Sequence, residues 1–113
     1  MRRMDREHPR YERKGLRPSV ERVLKGVAAA YGVDAEGSLR GQRGVSNEAR
    51  KVGMYLVKRM CDLTLQETAE RFRVGSYGVV GWACHGVRSR MEVDKGFKRR
   101  VEAIERKVNQ QKI

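Results

Sequence analysis

Ser76, Tyr77, Gly78 and Val79 stand directly after an Arg73-Val74-Gly75 turn, and Gly81, Trp82 and His85 follow them. A serine hydroxyl can hydrogen-bond several bases, and a tyrosine adds an apolar ring face suited to a thymine methyl. This is recognition chemistry, in which no covalent bond is made or broken. Catalysis is poorly provided for. The two histidines, His8 and His85, are far apart, no shielded carboxylate pair is apparent, and there is no GxxxxGK(S/T) phosphate loop. Cys61 and Cys84 lack a CxxC partner and sit among apolar residues. That is the pattern of buried reduced thiols rather than zinc ligands. The expectation is a non-enzymatic chain with no cofactor and no metal.

The elements that would carry these residues are two consecutive helices. Thr64-Leu65-Gln66-Glu67 is a capping-box start, and Leu65, Thr68, Ala69 and Phe72 recur on one face behind it. Ser76 caps a second helix running to about Met91, with Val79, Val80, Ala83, Cys84 and Val87 turned inward. Ala69 is small enough for a close crossing of the two. A short helix, a glycine-containing turn and a second helix make a helix-turn-helix, which offers its second helix to a duplex major groove. Ser76, Tyr77, Gly78, Val79 and Trp82 are the candidate base readers. Trp82 has a second and stronger claim on the core, because a large aromatic chiefly buries area. His85 reads as a polar surface residue. Gly78, Gly81 and Gly86 each cost about 0.5–1 kcal/mol inside a helix. Either close approach to a duplex or close helix packing would justify them.

The rest of the chain reads as one helical domain. Residues 18–31 form a helix with Pro18 in its first turn, Ser19 at the cap, Val20, Val23, Leu24, Val27 and Ala28 on one stripe, and Gly32 as its stop. A single turn capped by Asp34 and a basic loop at residues 40–44 come next. Ser46 caps a third helix ending near Cys61, with Val52, Tyr55, Leu56 and Met60 inside and Met54 flanking. A last helix runs from about Asp94 towards Gln110 on Phe97, Val101, Ile104 and Val108. Residues 1–16 show no periodic apolar face and read as a basic arm or linker, leaving residues 17–111 as the domain. No apolar run of about 18 residues could span a membrane.

Charge supplies the partner. The 113 residues carry 26 Lys and Arg against 14 Asp and Glu, a formal net charge of +12. Such an excess binds phosphates by releasing their condensed counterions. Arg43, Lys51, Lys58, Arg59 and Arg73 flank the two helices and can dock on phosphates, together with the backbone N–H groups of Leu65 and Gln66 at a helix start. Double-stranded DNA is the expected partner, in a cytoplasmic, nucleoid-associated protein. RNA is the alternative, because charge is indifferent to the sugar. A shortage of exposed aromatics argues against single-strand recognition.

Residues 19–110 resemble the C-terminal DNA-binding domain of the bacterial replication initiator DnaA. The segments that carry this are SVERVLKGVAAAYGVDAEGSLRGQRG, NEARKVGMYLVKRMCDLTLQETAERF and GSYGVVGWACHGV. The resemblance implies a Trp-repressor-like, all-α helix-turn-helix fold with a basic N-terminal arm. It also implies that Arg50 enters a minor groove beside the site. The Asp-His-Thr-Thr signature of that family falls on Ser76, Tyr77, Gly78 and Val79, and none of the four is retained. Scaffold and phosphate docking therefore carry over, while recognition of the initiator's own box does not. The domain also resembles the tail of REP-associated transposases, and the linker-like ERKGLRPSVERVL fits a segment following an upstream catalytic domain.

Overall fold

The computed structural model describes residues 18–34 and 47–110, and every regular element among them is an α-helix. In chain order these are α1 (Val20–Tyr31), α2 (Asn47–Cys61), α3 (Leu65–Phe72), α4 (Tyr77–Val93) and α5 (Lys95–Gln110). The expected arm at residues 1–16, most of the turn after Asp34, the loop at residues 40–44 with Arg43, and the Ser46 cap lie outside the described residues.

Capping side chains set several of the boundaries. Ser19 Oγ accepts the Arg22 N–H at 3.1 Å, so α1 starts at Val20. Pro18 precedes the cap instead of filling the first turn, and its carbonyl accepts a bond from the Cys61 thiol at 3.3 Å. Gly32, at φ 69°, ends α1 in the left-handed region, and the Val33 N–H returns to the Ala28 carbonyl at 3.0 Å. The capping box of α3 is complete: the Glu67 N–H reaches Thr64 Oγ1 at 3.0 Å and the Thr64 N–H reaches Glu67 Oε1 at 2.9 Å. Asp94 ends α4 and opens α5, its Oδ1 accepting the Phe97 N–H at 3.0 Å. In the turn between α3 and α4 the left-handed residue is Arg73, at φ 58°, rather than Gly75.

The core gathers around α2, which packs against α1, α3 and α4, while α5 closes against α1 and α4. Three neighbours widen the buried arc of α2 beyond one stripe. Met54 and Val57 are therefore inside with Val52, Leu56 and Met60, while Tyr55 is only half-buried. From α3, Thr68, Ala69 and Phe72 are buried, and the Thr68 hydroxyl is satisfied by the Thr64 carbonyl at 2.9 Å. Leu65 is half-buried against the same core. The face of α4 is Val80, Ala83, Cys84 and Val87, and that of α5 is Phe97, Val101, Ile104 and Val108. Burial of such side chains contributes about 1.5–3 kcal/mol each. Both cysteines are free and buried, and burial pushes the Cys84 thiol upward.

Two glycines set the closest approaches. A Cβ on Gly26 of α1 would lie 2.7 Å from Val108 Cγ2 of α5, and one on Gly53 of α2 would lie 3.4 Å from the Phe72 ring. Polar side chains bind the helices at one end of α2. Glu48 accepts the Tyr31 hydroxyl at 2.6 Å and Arg90 Nη1 at 2.8 Å, with Arg100 Nη1 at 3.9 Å. Arg90 also lies 4.1 Å over the Phe97 ring and pairs with Asp94 at 3.5 Å. The carboxylate thus joins α1, α2, α4 and α5. The Tyr31 hydrogen bond holds Glu48 below its ordinary range, with Arg90 and Arg100 assisting against partial burial. Burial and that same bond push Tyr31 up to about 12.

Two outcomes follow. Gly26→Ala overpacks the α1–α5 contact and should cost about 1–3 kcal/mol in urea melts. The folded pKa of Glu48 is depressed, so its stabilisation is complete above the ordinary carboxylate value and fades as pH falls through the folded value. The stability gap between the wild type and Glu48→Gln should therefore be widest at neutral pH and narrow once pH drops below 4.5.

Candidate nucleic-acid interface

The beginnings of α2 and α4 lie side by side and bound an open groove of about 590 Å³. Arg50, Lys51 and Met54 line it from α2, and Ser76, Gly78, Val79, Trp82 and Ala83 line it from the α4 side. Ser76 Oγ caps α4 by accepting the Gly78 N–H at 3.0 Å, which leaves its own hydroxyl proton to donate elsewhere. Beside it, Tyr77 is 58%, Val79 47% and Trp82 72% exposed. Two sequence expectations are corrected here. Trp82 does not enter the core, because it projects from the side of α4 opposite the Val80, Ala83, Cys84 and Val87 stripe. Val79 does not join that stripe either: it lines the groove, where no helix covers it. Sequence reasoning also missed the shortage of exposed aromatics being made good by these two rings, Tyr77 and Trp82.

Of the candidate base readers, Ser76, Gly78, Val79 and Trp82 share this groove, with Arg50 and Lys51 on its rim, while Tyr77 is exposed in the same first turn of α4 but does not line it. Arg50 is half-buried, and its Nη2 reaches the Phe72 carbonyl at the end of α3 at 3.4 Å. Among the described residues its Nε is the one buried side-chain nitrogen or oxygen without a partner. The arginine thus ties α2 to the turn while its guanidinium borders the groove. Lys51 is exposed. Leu65 and Gln66 open α3. The capping box takes the N–H groups of Thr64 and Glu67, and the first-turn N–H groups of Leu65 and Gln66 have no acceptor within their own helix. Arg73 is exposed in the turn. Lys58 and Arg59 do not join the groove: they sit in the last turn of α2, and Arg59 pairs with Glu105 of α5 at 3.3 Å.

Electrostatically the surface is open to an anion. The first turn of α4 holds no acidic residue, and the first acid along the helix is Glu92. The nearest carboxylate on α2, Glu48, is already engaged by Arg90 and Arg100. The α4 glycines can now be sorted. A Cβ on Gly86 would meet nothing within 4 Å, one on Gly81 only Leu65 Cδ1 at 3.8 Å, and one on Gly78 only Ser76 Oγ at 3.3 Å. Helix packing does not demand glycine at Gly81 or Gly86.

These features define an all-α helix-turn-helix domain of the Trp-repressor-like kind. In sequence it is similar to the bacterial replication initiator DnaA. The chain is 30% identical over 95 residues to the chromosomal replication initiator protein DnaA of Thermodesulfovibrio yellowstonii, across 82% of this chain and 22% of that protein. It is 32% identical over 85 residues to DnaA of Aquifex aeolicus, across 74% of this chain and 21% of that protein. The chain thus spans about a fifth of the length of the curated relatives it matches, consistent with a DnaA C-terminal domain. No family model matches it.

Because a Cβ would meet no more than ordinary contact at Gly81 and nothing at Gly86, Gly81→Ala and Gly86→Ala should each raise stability by about 0.5–1 kcal/mol in thermal or urea melts. A loss of stability in either variant would mean that packing, after all, requires the glycine.

Proposed function

We propose that this domain binds double-stranded DNA in a sequence-specific manner, laying the start of α4 along the major groove. The observation that carries the reading is the opening of α4. It is a capped helix end with Tyr77, Val79 and Trp82 in solvent, no acid in its first turn, and Arg50 and Lys51 beside it. Helix-turn-helix domains present this end of the second helix to base edges. Ser76, Tyr77, Gly78, Val79 and Trp82 read bases, and Arg50 reaches the adjoining minor groove. Arg43, Lys51, Arg73 and the N–H groups of Leu65 and Gln66 hold phosphates. The curated relatives are named as replication initiators, which supports a DNA-targeting or regulatory role, replication-related or transposase-associated. The domain carries out no ATP hydrolysis and acts in the cytoplasm at the nucleoid. An upstream catalytic segment, where present, would use it as an address reader.

Selection from a random duplex library, followed by mobility shift, tests this. Enrichment of a defined site at modest salt is the expected result, and its absence contradicts sequence-specific binding. Tyr77→Ala should flatten the preference among sequences. Lys51→Ala should weaken all duplexes alike and reduce the salt slope by about one. If close approach explains the α4 glycines, Gly81→Ala should weaken binding even as it stabilises the fold. The exposed Tyr77 and Trp82 rings are also stacking platforms, which gives the RNA reading a physical basis. Competition by duplex RNA or single strands at lower concentration than duplex DNA would establish that reading instead.

A further inference from the structure

We infer that this surface reads the C5-methyl groups of thymines, rather than the hydrogen-bonding edges of bases, as the main source of its selectivity. The inference rests on the duplex-binding reading above and deepens it. Discrimination through the donor and acceptor code of the major groove relies on Arg, Lys, Asn, Gln, Asp or Glu side chains aimed at base edges. From Tyr77 to Val87, α4 carries none of them. What it exposes instead is apolar. Among the described residues the large hydrophobic side chains left in solvent are Tyr77, Val79, Trp82 and Val93, and the first three share the opening turns of α4. Exposed apolar side chains gathered beside a groove mark a contact surface. Met54 and Ala83, both buried residues, extend the apolar lining of this groove.

The polar groups near this patch are few and sit at its edge. Ser76 Oγ accepts a bond from its own helix and keeps one proton to donate, and Arg50 Nη2 reaches the Phe72 carbonyl. Arg50 and Lys51 give the apolar patch a cationic rim, which suits a polyanion carrying apolar groups on its inner surface. In the major groove, the thymine methyl is the apolar group a base pair presents. Gly78, exposed beside Val79 on this same surface, places no side chain between the α4 backbone and a duplex. The helix can therefore sink until Val79 and Trp82 meet methyl groups directly.

The test uses the whole chain and a duplex enriched from a random library, prepared once with thymidine and once with deoxyuridine throughout. The two duplexes share sequence and charge and differ in the methyl groups. Burying one methyl is worth about fourfold in affinity, so a contact with two or more should make the deoxyuridine duplex bind at least tenfold more weakly. Val79→Ala and Trp82→Ala, both at exposed positions, should fold as the wild type does by circular dichroism and lose most of that ratio. Equal affinity of wild type for the two duplexes overturns methyl reading while leaving duplex binding intact. Failure to enrich any duplex overturns both. A dimer in sedimentation that Trp82→Ala abolishes, combined with equal binding of the two duplexes, would assign the patch to a second copy of the chain and likewise overturn the inference.

Discussion

A helix enclosed on three sides has little but its ends left for polar side chains, and α2 is such a helix. Its middle, from Val52 to Met60, is largely buried under α1, α3 and α4. Ionic groups are expensive to bury and are confined to the first and last turns. The first turns hold Glu48, Arg50 and Lys51, and the last holds Lys58 and Arg59. The two ends then differ in what they meet. At the first, Glu48 gathers arginines from α4 and α5, while Arg50 and Lys51 border the open side of α4. At the last, Arg59 turns to Glu105 of α5. Position along one buried helix thereby separates a cationic groove rim from a structural ion pair.

The Glu48 cluster also bears on the groove electrostatically. A lone carboxylate on the first turn of α2 would oppose an anion close by. With Arg90 at 2.8 Å and Arg100 at 3.9 Å, its charge is met locally and the surroundings stay positive. Such partly exposed pairs contribute little apiece to stability. Their importance here lies in joining four helices at one point and in leaving the start of α4 without a competing negative charge.

Much of the fold was legible because it is local. The Phe97, Val101, Ile104 and Val108 stripe, the Ser19 and Ser76 caps, the Thr64–Glu67 box and the Gly32 stop each depend on residues within a turn or two. What escaped depends on distant partners. Val57 looks like an edge residue until three helices surround α2. Gly26 and Gly53 look incidental until Val108 and Phe72 arrive from elsewhere. Glu48 meets Tyr31, Arg90 and Arg100 across long sequence separations. At the candidate site, sequence placed Tyr77 and Ser76 at a helix start, but Trp82 and Val79 could be assigned only with the packing in view. A large aromatic favours burial as a rule, and the position of Trp82 on α4 overrides that preference. Arg73 in the left-handed region is a similar override, since the nearby Gly75 was the natural candidate.

The bond from the Cys61 thiol to the Pro18 carbonyl moors the incoming chain at the far end of α2 from the groove. Eleven helical steps carry the chain from Arg50 to Cys61, about 16 Å along the axis. Pro18 is therefore set back from the groove by most of the length of α2. A bulky neighbour hung from that mooring would stand clear of the exposed start of α4.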